Sequence, residues 1–278
     1  MRAADLKFTC RSLSALFLCT LLAANPGGAR GQSTLDEAIA AFREKDYGFA
    51  FPIFLRAAKS GEVTAQFYLG LAYQKGWGAV ADKPKARQWY EEAARQGSNK
   101  ARVNLAQMLL RNPLDEQSAA QAISLLSSAV AAGDLKATHE LGLAWYHGAT
   151  GKRDFDKART LWLTAAKAGV AKSAYNLGII YRRGLGVRRD LNECLRWWRS
   201  AAEGGLGAAQ NSLGTAYLRG EGVTADLVEA FAWFVLARDG GLNVAVQNLE
   251  MVREQLSPEQ RARAHSRVIE LRQRHLGL

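Results

Sequence analysis

Apolar residues recur along the chain with the spacing of one helix face, and this pattern predicts a helical protein. Ala86, Trp89, Tyr90, Ala93 and Ala94 follow one another at the intervals that place residues on a single face of a helix. The residues between them are polar or charged. The pattern therefore indicates an amphipathic helix with one side packed against a neighbour.

A second apolar face lies ahead of this one and predicts a partner helix. It contains Ala65, Leu69, Ala72 and Tyr73, with Gly70 in its middle. A glycine inside a helix costs about 1 kcal/mol relative to alanine, so a recurring one suggests that two helices approach closely there. The equivalent positions downstream are Ala106, Gly142, Gly178 and Gly214.

The pair of helices repeats every 36 residues. Three sets of residues keep this spacing without an insertion: Gly61, Gly97, Gly133, Gly169, Gly205 and Gly241; Ala57, Ala93, Ala129, Ala165, Ala201 and Ala237; Leu69, Leu105, Leu141, Leu177, Leu213 and Leu249. One hairpin cannot bury its apolar face alone, so repeats of this length stack on their neighbours. The predicted fold class is an all-α solenoid of helix-turn-helix repeats.

Polar residues mark where the second helices begin. The predicted N-caps are Asp82, Asp154, Asp190 and Asp226. Two of these aspartates have a glutamate three residues later, Glu193 and Glu229, which predicts a capping box at each position.

Residues 176–198 contain three features that could signal chemistry. Gly184-Leu185-Gly186 could hold a phosphate, Cys194 could be a nucleophile or metal ligand, and Trp197-Trp198 could form a ligand platform. The equivalent positions in other units hold similar glycines, alanines and large apolar residues. We therefore interpret the three features as an inter-helix turn, a small buried residue and core aromatics.

The repeated motif resembles the Sel1-like repeat, a relative of the tetratricopeptide repeat. It is nearly complete in Leu177-Gly178, Tyr181, Gly184-Leu185-Gly186-Val187, Asp190, Trp197-Trp198, Ala201-Ala202 and Gly204-Gly205. The second unit departs from it, with Asn112-Pro113-Leu114-Asp115 at the turn and Leu125-Leu126 at the aromatic positions. The resemblance implies a right-handed α-solenoid whose first helices line a concave groove for protein–protein interaction.

The N-terminus predicts export. Arg2, Lys7 and Arg11 flank the apolar run 14–24, and small residues follow, as in a secretory signal peptide cleaved after Ala29 or Gly31. The predicted organisation is a signal peptide (1–31), a degenerate N-terminal capping repeat (32–62), five Sel1-like units (63–242) and C-terminal capping helices (243–278). We expect the mature protein to be periplasmic or secreted.

Composition and charge limit the partners. Apolar residues make up 48% of the chain, as in ordinary globular proteins. Removing residues 1–31 takes away four basic residues and one acidic residue, so the formal net charge falls from +11 to +8. The remaining positive charge favours an acidic protein or peptide, and export argues against nucleic acid. Cys194 is then the only cysteine, so no intrachain disulfide or cysteine-based metal site is expected.

Two sets of equivalent residues on the first helices are candidate partner-binding sites. Variable residues beside the Leu-Gly core are expected to line the groove: Tyr68, Asn104, Glu140, Asn176 and Ser212, with Gln66, Arg102 and Gln210 nearby. Cations just before the turn are expected to form a basic edge: Lys75, Arg111, His147, Arg183 and Arg219. A second, shorter basic row is Lys100, Lys136 and Lys172. Ordinary solvated side chains, or cations that complement helix dipoles, are the alternative interpretation of these sets.

We expect no catalytic residues, metal or cofactor, because the histidines are scattered and no nucleophile–base motif occurs. The predicted function is a non-enzymatic scaffold or regulator in the cell envelope. One alternative is an assembly protein that contacts polysaccharide, through exposed aromatics such as Trp77. Another is contact with an anionic membrane through the arginines of the last helix, Arg261, Arg263, Arg267, Arg272 and Arg274. A β-lactam hydrolase, as in a related cysteine-rich branch, is disfavoured because paired cysteines are missing.

Overall fold

The computed structural model describes residues 26–111 and 116–276, which form helices joined by short turns. The helices are α1 (Pro26–Arg43), α2 (Tyr47–Lys59), α3 (Val63–Lys75), α4 (Lys83–Arg95), α5 (Asn99–Leu109), α6 (Glu116–Ala131), α7 (Leu135–His147), α8 (Phe155–Lys167), α9 (Ala171–Arg183), α10 (Leu191–Glu203), α11 (Gly207–Arg219), α12 (Leu227–Asp239), α13 (Val244–Gln255) and α14 (Pro258–Leu276). No strand occurs in the described part of the chain. The side chains of residues 26–33 and 274–276 are not described.

The helices form hairpins that stack in chain order, as the repeat predicted. Odd-numbered helices are the first helices of the hairpins, and from α3 to α11 each packs on the helices before and after it in the sequence. First helices of neighbouring units also approach one another, as α5 does with α7 and α11 with α13. The arrangement confirms the all-α solenoid with a 36-residue period.

Within four hairpins, an aromatic ring of the second helix lies directly against a glycine of the first. A Cβ atom added to Gly70 would lie 2.7 Å from a ring carbon of Tyr90, and one added to Gly214 would lie 2.6 Å from Phe234. The same contact joins Gly142 to Trp162 and Gly178 to Trp198, even more closely. The glycines therefore recur because the rings leave no room for a side chain.

The second unit achieves the same packing with different residues. Ala106 replaces the glycine, and Leu126 stands where the other units have an aromatic ring; both are fully buried. An alanine methyl group and a leucine side chain thus share the space that elsewhere holds one ring. This compensation explains why the departure predicted from the sequence leaves the repeat intact.

Glycines at the turns serve the backbone and the contact between units. Gly184 ends α9 with φ +67°, a left-handed conformation that glycine adopts without strain. Gly186 has φ +67° as well, and a Cβ atom there would meet Phe155 of the preceding unit at 3.1 Å. The interpretation of this segment as an inter-helix turn is confirmed.

The aspartate N-caps are confirmed, but the capping boxes are wrong. The Asp190 side chain accepts hydrogen bonds from the backbone N–H groups of Asn192 and Glu193. Its own backbone N–H donates to the carbonyl of Tyr181 instead of to Glu193, and Asp226 likewise donates to Tyr217. The turn returns the chain close to the end of the first helix, so a backbone carbonyl satisfies the donor that the glutamate was expected to satisfy.

Cys194 and the tryptophan pair belong to the core. Cys194 is 1% exposed, and Trp197 and Trp198 are buried in the same apolar cluster. Burial raises the pKa of the Cys194 thiol to about 12, so it is protonated at neutral pH. A thiol in this state is a poor nucleophile, in line with the structural interpretation.

The two ends of the array close differently, because α1 pairs with α2, whereas α13 and α14 both pack on α12. At the N-terminal end, α1 begins at Pro26, so both predicted cleavage positions fall within this helix, while residues 1–25 lie outside the described residues. At the C-terminal end, Ser257 and Gln260 exchange hydrogen bonds as a capping box at the start of α14. Cleavage of the signal peptide stays a prediction.

The last helix uses two of its arginines to bind α12. Arg267 bonds to Glu229 at 2.6 Å, and Arg272 pairs with Asp239. These two arginines therefore hold the capping helix in place, which reduces the basic surface that the membrane alternative requires. The side chain of Arg274 lies outside the described residues.

His139 forms a buried polar link between two consecutive first helices. Its ring Nδ1 shares a 2.9 Å hydrogen bond with the hydroxyl of Ser173, and its backbone carbonyl accepts one from the Trp162 indole. Burial first, and the Lys172 ammonium second, lower the pKa of His139 to about 4. His139 is therefore a packed residue of the interior.

Substituting Gly178→Ala tests the contact between glycine and aromatic ring. Helix propensity alone favours this change by about 1 kcal/mol. Because the added methyl group overlaps Trp198, we expect instead a loss of about 1–3 kcal/mol in the free energy of unfolding, measured by urea denaturation. Trp198→Leu in the same chain should recover part of that loss, as the Ala106 and Leu126 pair does naturally.

The matched control is Gly48→Ala in α2, where the nearest atom to the added Cβ lies 3.9 Å away. It should be neutral or stabilising by up to about 1 kcal/mol. Equal stability of the Gly178→Ala variant and the parent would contradict the packing model.

His139 predicts a loss of stability in mild acid. The unfolded histidine takes up a proton near its ordinary pKa of 6.5, whereas the folded one does so only near 4. As the pH falls from 6.5 to 4, the unfolded state is therefore favoured by up to about 3 kcal/mol. His139→Asn, which installs the residue found at the equivalent position 211, should remove this part of the pH dependence in denaturation curves recorded from pH 7 to 4. Parallel curves for variant and parent would contradict it.

Candidate functional site

The groove formed by α3, α5 and α7 brings together cations from both predicted basic rows. Lys75 and Arg111 come from the ends of first helices, whereas Lys100 and Lys136 come from the beginnings of the following ones. All four are exposed and line one concavity of about 390 Å³. We call this concavity the cationic groove.

The floor of the cationic groove is partly apolar. Phe67 and Leu71 of α3 and Val103 of α5 line it between the charged side chains. The Lys100 ammonium lies 6.0 Å from the centre of the Phe67 ring. The groove therefore offers apolar contact at its base and positive charge at its rim.

Two amides in the groove are held in place from below by a tyrosine hydroxyl. The Tyr90 hydroxyl donates to Gln74 Oε1 at 2.9 Å and accepts from Asn104 Nδ2 at 3.1 Å. Burial raises the pKa of Tyr90 to about 12, with the Asn104 hydrogen bond acting in the opposite direction. The neutral hydroxyl thus fixes the orientation of two polar side chains that face the groove.

A second depression continues the groove towards α7. It is lined by Gln107, Arg111, Glu140, Leu143 and His147, among others, and shares Gln107 and Arg111 with the cationic groove. Its apolar wall includes Leu143 and its rim includes the exposed His147. The candidate site therefore extends along three consecutive first helices.

The pairing of exposed cations with carboxylates differs between the cationic groove and the later units. In the fourth and fifth units, Glu221 accepts a hydrogen bond from Arg182 at 2.8 Å and lies 3.6 Å from Arg219. The four cations of the cationic groove form no ion pair with any residue in the described ranges. Within the described residues, the four groove cations are therefore unpaired, whereas Arg219 of the predicted basic edge lies near a carboxylate.

The structure places the five variable residues on one row of half-buried positions, but their surroundings differ. Tyr68 stacks on Phe54 at 5.0 Å and packs against Phe42, so much of its ring is internal. Asn104 and Glu140 lie in the groove or its continuation. Ser212 lies 3.5 Å from the Tyr175 hydroxyl, and Asn176 is also half-buried. Their role in binding a partner stays a prediction.

Two further residues expected in the groove are not available to a partner. Gln66 and Gln210 are each 3% exposed, and their side-chain amides donate to the carbonyls of Ala58 and Ala202. Each ties a first helix to the preceding second helix, so their assignment to the groove was wrong. The equivalent residue Arg102 is half-buried and donates to Asn99.

Trp77 is not the free aromatic that a polysaccharide platform would need. Its ring stacks on Tyr47 at 5.0 Å with an interplanar angle of 2°, and it meets Phe42 edge-on. The turn of the first unit is thereby fastened to the N-terminal hairpin.

Sequence reasoning missed the residues that complete the groove. Gln74 and Gln107 occupy positions where other units hold quite different side chains, so no repeated signal marks them. Two of the floor residues, Phe67 and Val103, occupy the positions equivalent to His139, and Leu71 occupies the position equivalent to Gln107. Their common location depends on how consecutive first helices stack.

Neither a cluster of metal ligands nor a membrane-spanning helix occurs among the residues that the structure describes. Within residues 26–111 and 116–276, no three His, Cys, Asp or Glu residues are grouped so that they could hold a metal ion. None of the helices described above combines the length and apolar character needed to span a membrane.

Comparison with known proteins identifies the repeats. The model of the Sel1 repeat matches residues 63–98, 135–170, 171–206 and 207–242. The interval between the first two matches is the second unit, whose turn and aromatic positions depart from the motif. A search of curated proteins gives no match.

Solved structures show the same architecture. A protective antigen of uropathogenic Escherichia coli strains, c5321, is 28% identical over 89% of this chain, with a TM-score of 0.75; this chain spans 55% of its length. A Sel1 repeat protein from Oxalobacter formigenes is 23% identical over 80% of this chain and 100% of its own, with a TM-score of 0.66. The immunity protein Pa5087 from Pseudomonas aeruginosa shares the fold at 20% identity over 74% of this chain and 83% of its own, with a TM-score of 0.53.

The repeat matches cover more than half of the chain, and the stacked hairpins agree with them. Repeats of this type generally mediate contacts between proteins. The chain belongs to the Sel1 repeat family.

Proposed function

We propose that this protein is a non-enzymatic scaffold or regulator of the bacterial cell envelope. It is exported by residues 1–31 and binds another protein through the surface of its first helices. The family supports interaction with a protein, and the composition of the N-terminal segment supports export. The buried, protonated Cys194 and the scattered histidines supply no reactive group for catalysis.

The cationic groove is the observation that carries this proposal. It is concave, it combines apolar floor with exposed charge, and it lies on the helices whose side chains vary from unit to unit. The residues that build the framework are occupied by packing between helices, whereas the groove side chains point outward. Partner recognition therefore belongs to the groove.

Export can be tested by fusing residues 1–31 to a phosphatase that is active only in the periplasm. We expect phosphatase activity in whole cells, and a mature protein whose mass corresponds to cleavage after Ala29 or Gly31. Replacing Leu18 and Leu21 in the apolar run by arginine is the control, because charge there prevents membrane insertion. Cytosolic fusion protein that retains Met1 would rule out export.

The binding surface can be tested by placing a photocrosslinking amino acid at Glu140, in the continuation of the groove. In the native host, irradiation should give a discrete covalent adduct with another protein, identified by mass spectrometry. Simultaneous replacement of Asn104 and Asn176 by alanine should weaken the adduct formed at Glu140.

The control positions are Gln88 and Ser200, which are exposed on second helices. They should give no adduct or different ones. Adducts of equal intensity at both controls and at Glu140 would show that the first helices have no special role.

A further inference from the structure

The cationic groove has the chemistry of a site for an acidic peptide segment. Resting on the function proposed above, we propose that it binds a stretch of the partner protein in which carboxylates flank an apolar side chain. The carboxylates pair with Lys75, Lys100, Arg111 and Lys136, and the apolar side chain packs on the floor. The identity of the partner is thereby narrowed to a protein with an accessible acidic and apolar segment.

The charge balance inside the groove favours an anion. Four cations line it, and the one carboxylate among the lining residues is Asp134. Asp134 already accepts a hydrogen bond at 2.8 Å from the backbone N–H of Ala137 as the N-cap of α7. Asp134 therefore caps the helix and offsets one of the four positive charges, so the lining keeps a formal charge of +3 (four cations minus one carboxylate) for an external partner.

The apolar floor of the groove restricts the class of ligand further than the positive charge alone does. Phe67 and Leu71 are half-buried, so the groove presents apolar surface that only a matching side chain can cover, while Val103 is fully buried and adds no accessible surface. A uronate polysaccharide has no such side chain. A bilayer surface is flat on this scale and cannot enter a concavity between three helices. The combination favours a peptide.

The amides beneath the rim supply directional hydrogen bonds. The Tyr90 hydroxyl donates a hydrogen bond to Gln74 Oε1, and Gln74 lines the groove. The NH₂ group of Gln74 is therefore the part of the amide left to donate to a bound partner. An NH₂ group held in this way can donate to a peptide carbonyl or carboxylate without first losing its freedom. The groove is thus organised before the partner arrives.

The other half of the array provides an internal contrast. There Glu221 already occupies the position between Arg182 and Arg219 that an external carboxylate would need. The acidic segment is therefore expected to engage the first three units and not the last two.

Selection of random displayed peptides on the mature protein tests the proposal without a known partner. We expect enrichment of sequences in which Asp or Glu residues flank Leu, Ile or Phe, with binding that weakens as salt is added. Selection that yields no binders, or binders without acidic residues, would overturn it.

A quadruple variant locates the site: Lys75→Gln, Lys100→Gln, Arg111→Gln and Lys136→Gln. Each exposed pair contributes roughly 0.2–1 kcal/mol, so we expect the selected peptides to lose affinity by between about fourfold and several hundredfold, equivalent to about 0.8–4 kcal/mol for four pairs. The matched control removes the same charge from exposed residues outside the groove: Lys59→Gln, Lys83→Gln, Lys167→Gln and Arg188→Gln. Equal loss in both variants would show that net charge, and not the groove, determines binding.

Competition distinguishes the remaining classes of anion. Polygalacturonate and vesicles containing phosphatidylglycerol should compete with the selected peptides only through general charge. We therefore expect the groove variant and the control variant to bind these two anions equally well. Binding of either at the groove in preference to the peptides would overturn the proposal. A photocrosslinked adduct at Glu140 without enrichment of acidic peptides would leave the scaffold function standing and reject the acidic segment.

Discussion

The close contact between a glycine of the first helix and an aromatic ring of the second is the constraint on which the array depends. It sets how near the two helices of a hairpin approach, and hence how much apolar surface each hairpin presents to the next. Because contacts run between neighbouring hairpins, an error in one hairpin would shift the interfaces on both its sides. The glycines cost helix propensity in every unit where they occur, and the packing of the rings offsets that cost.

This constraint separates the residues that build the molecule from those that can choose a partner. Alanines, leucines and rings at equivalent positions are buried and interchangeable between units. Side chains on the exposed part of the first helices are free to differ, and in the first three units they collect four cations around an apolar floor. In the later units Arg182 is paired with Glu221, so the set of charges left unpaired differs along the array.

The sequence predicted the fold well because each hairpin repeats the same local information. The period, the N-caps and the burial of Cys194 and Trp198 followed from residues at equivalent positions. The capping boxes at Asp190 and Asp226 were wrong because a backbone carbonyl near the end of the first helix accepts the hydrogen bond that the glutamate was expected to accept. The groove itself could be predicted only as rows of residues. Its floor, its amides and the burial of Gln66 arise from stacking between units, which no single helix pattern encodes.

The two side chains that distinguish the second unit affect the width of the groove. Ala106 belongs to α5, the helix that contributes Lys100 and Asn104 to the groove, and Leu126 of α6 is buried in the same apolar cluster. The spacing of α5 and α6 is therefore set by a methyl group and a branched aliphatic side chain, whereas four other hairpins place an aromatic ring against a glycine. Substitutions that change either of these two side chains by one carbon atom can therefore alter the width of the cationic groove in small steps.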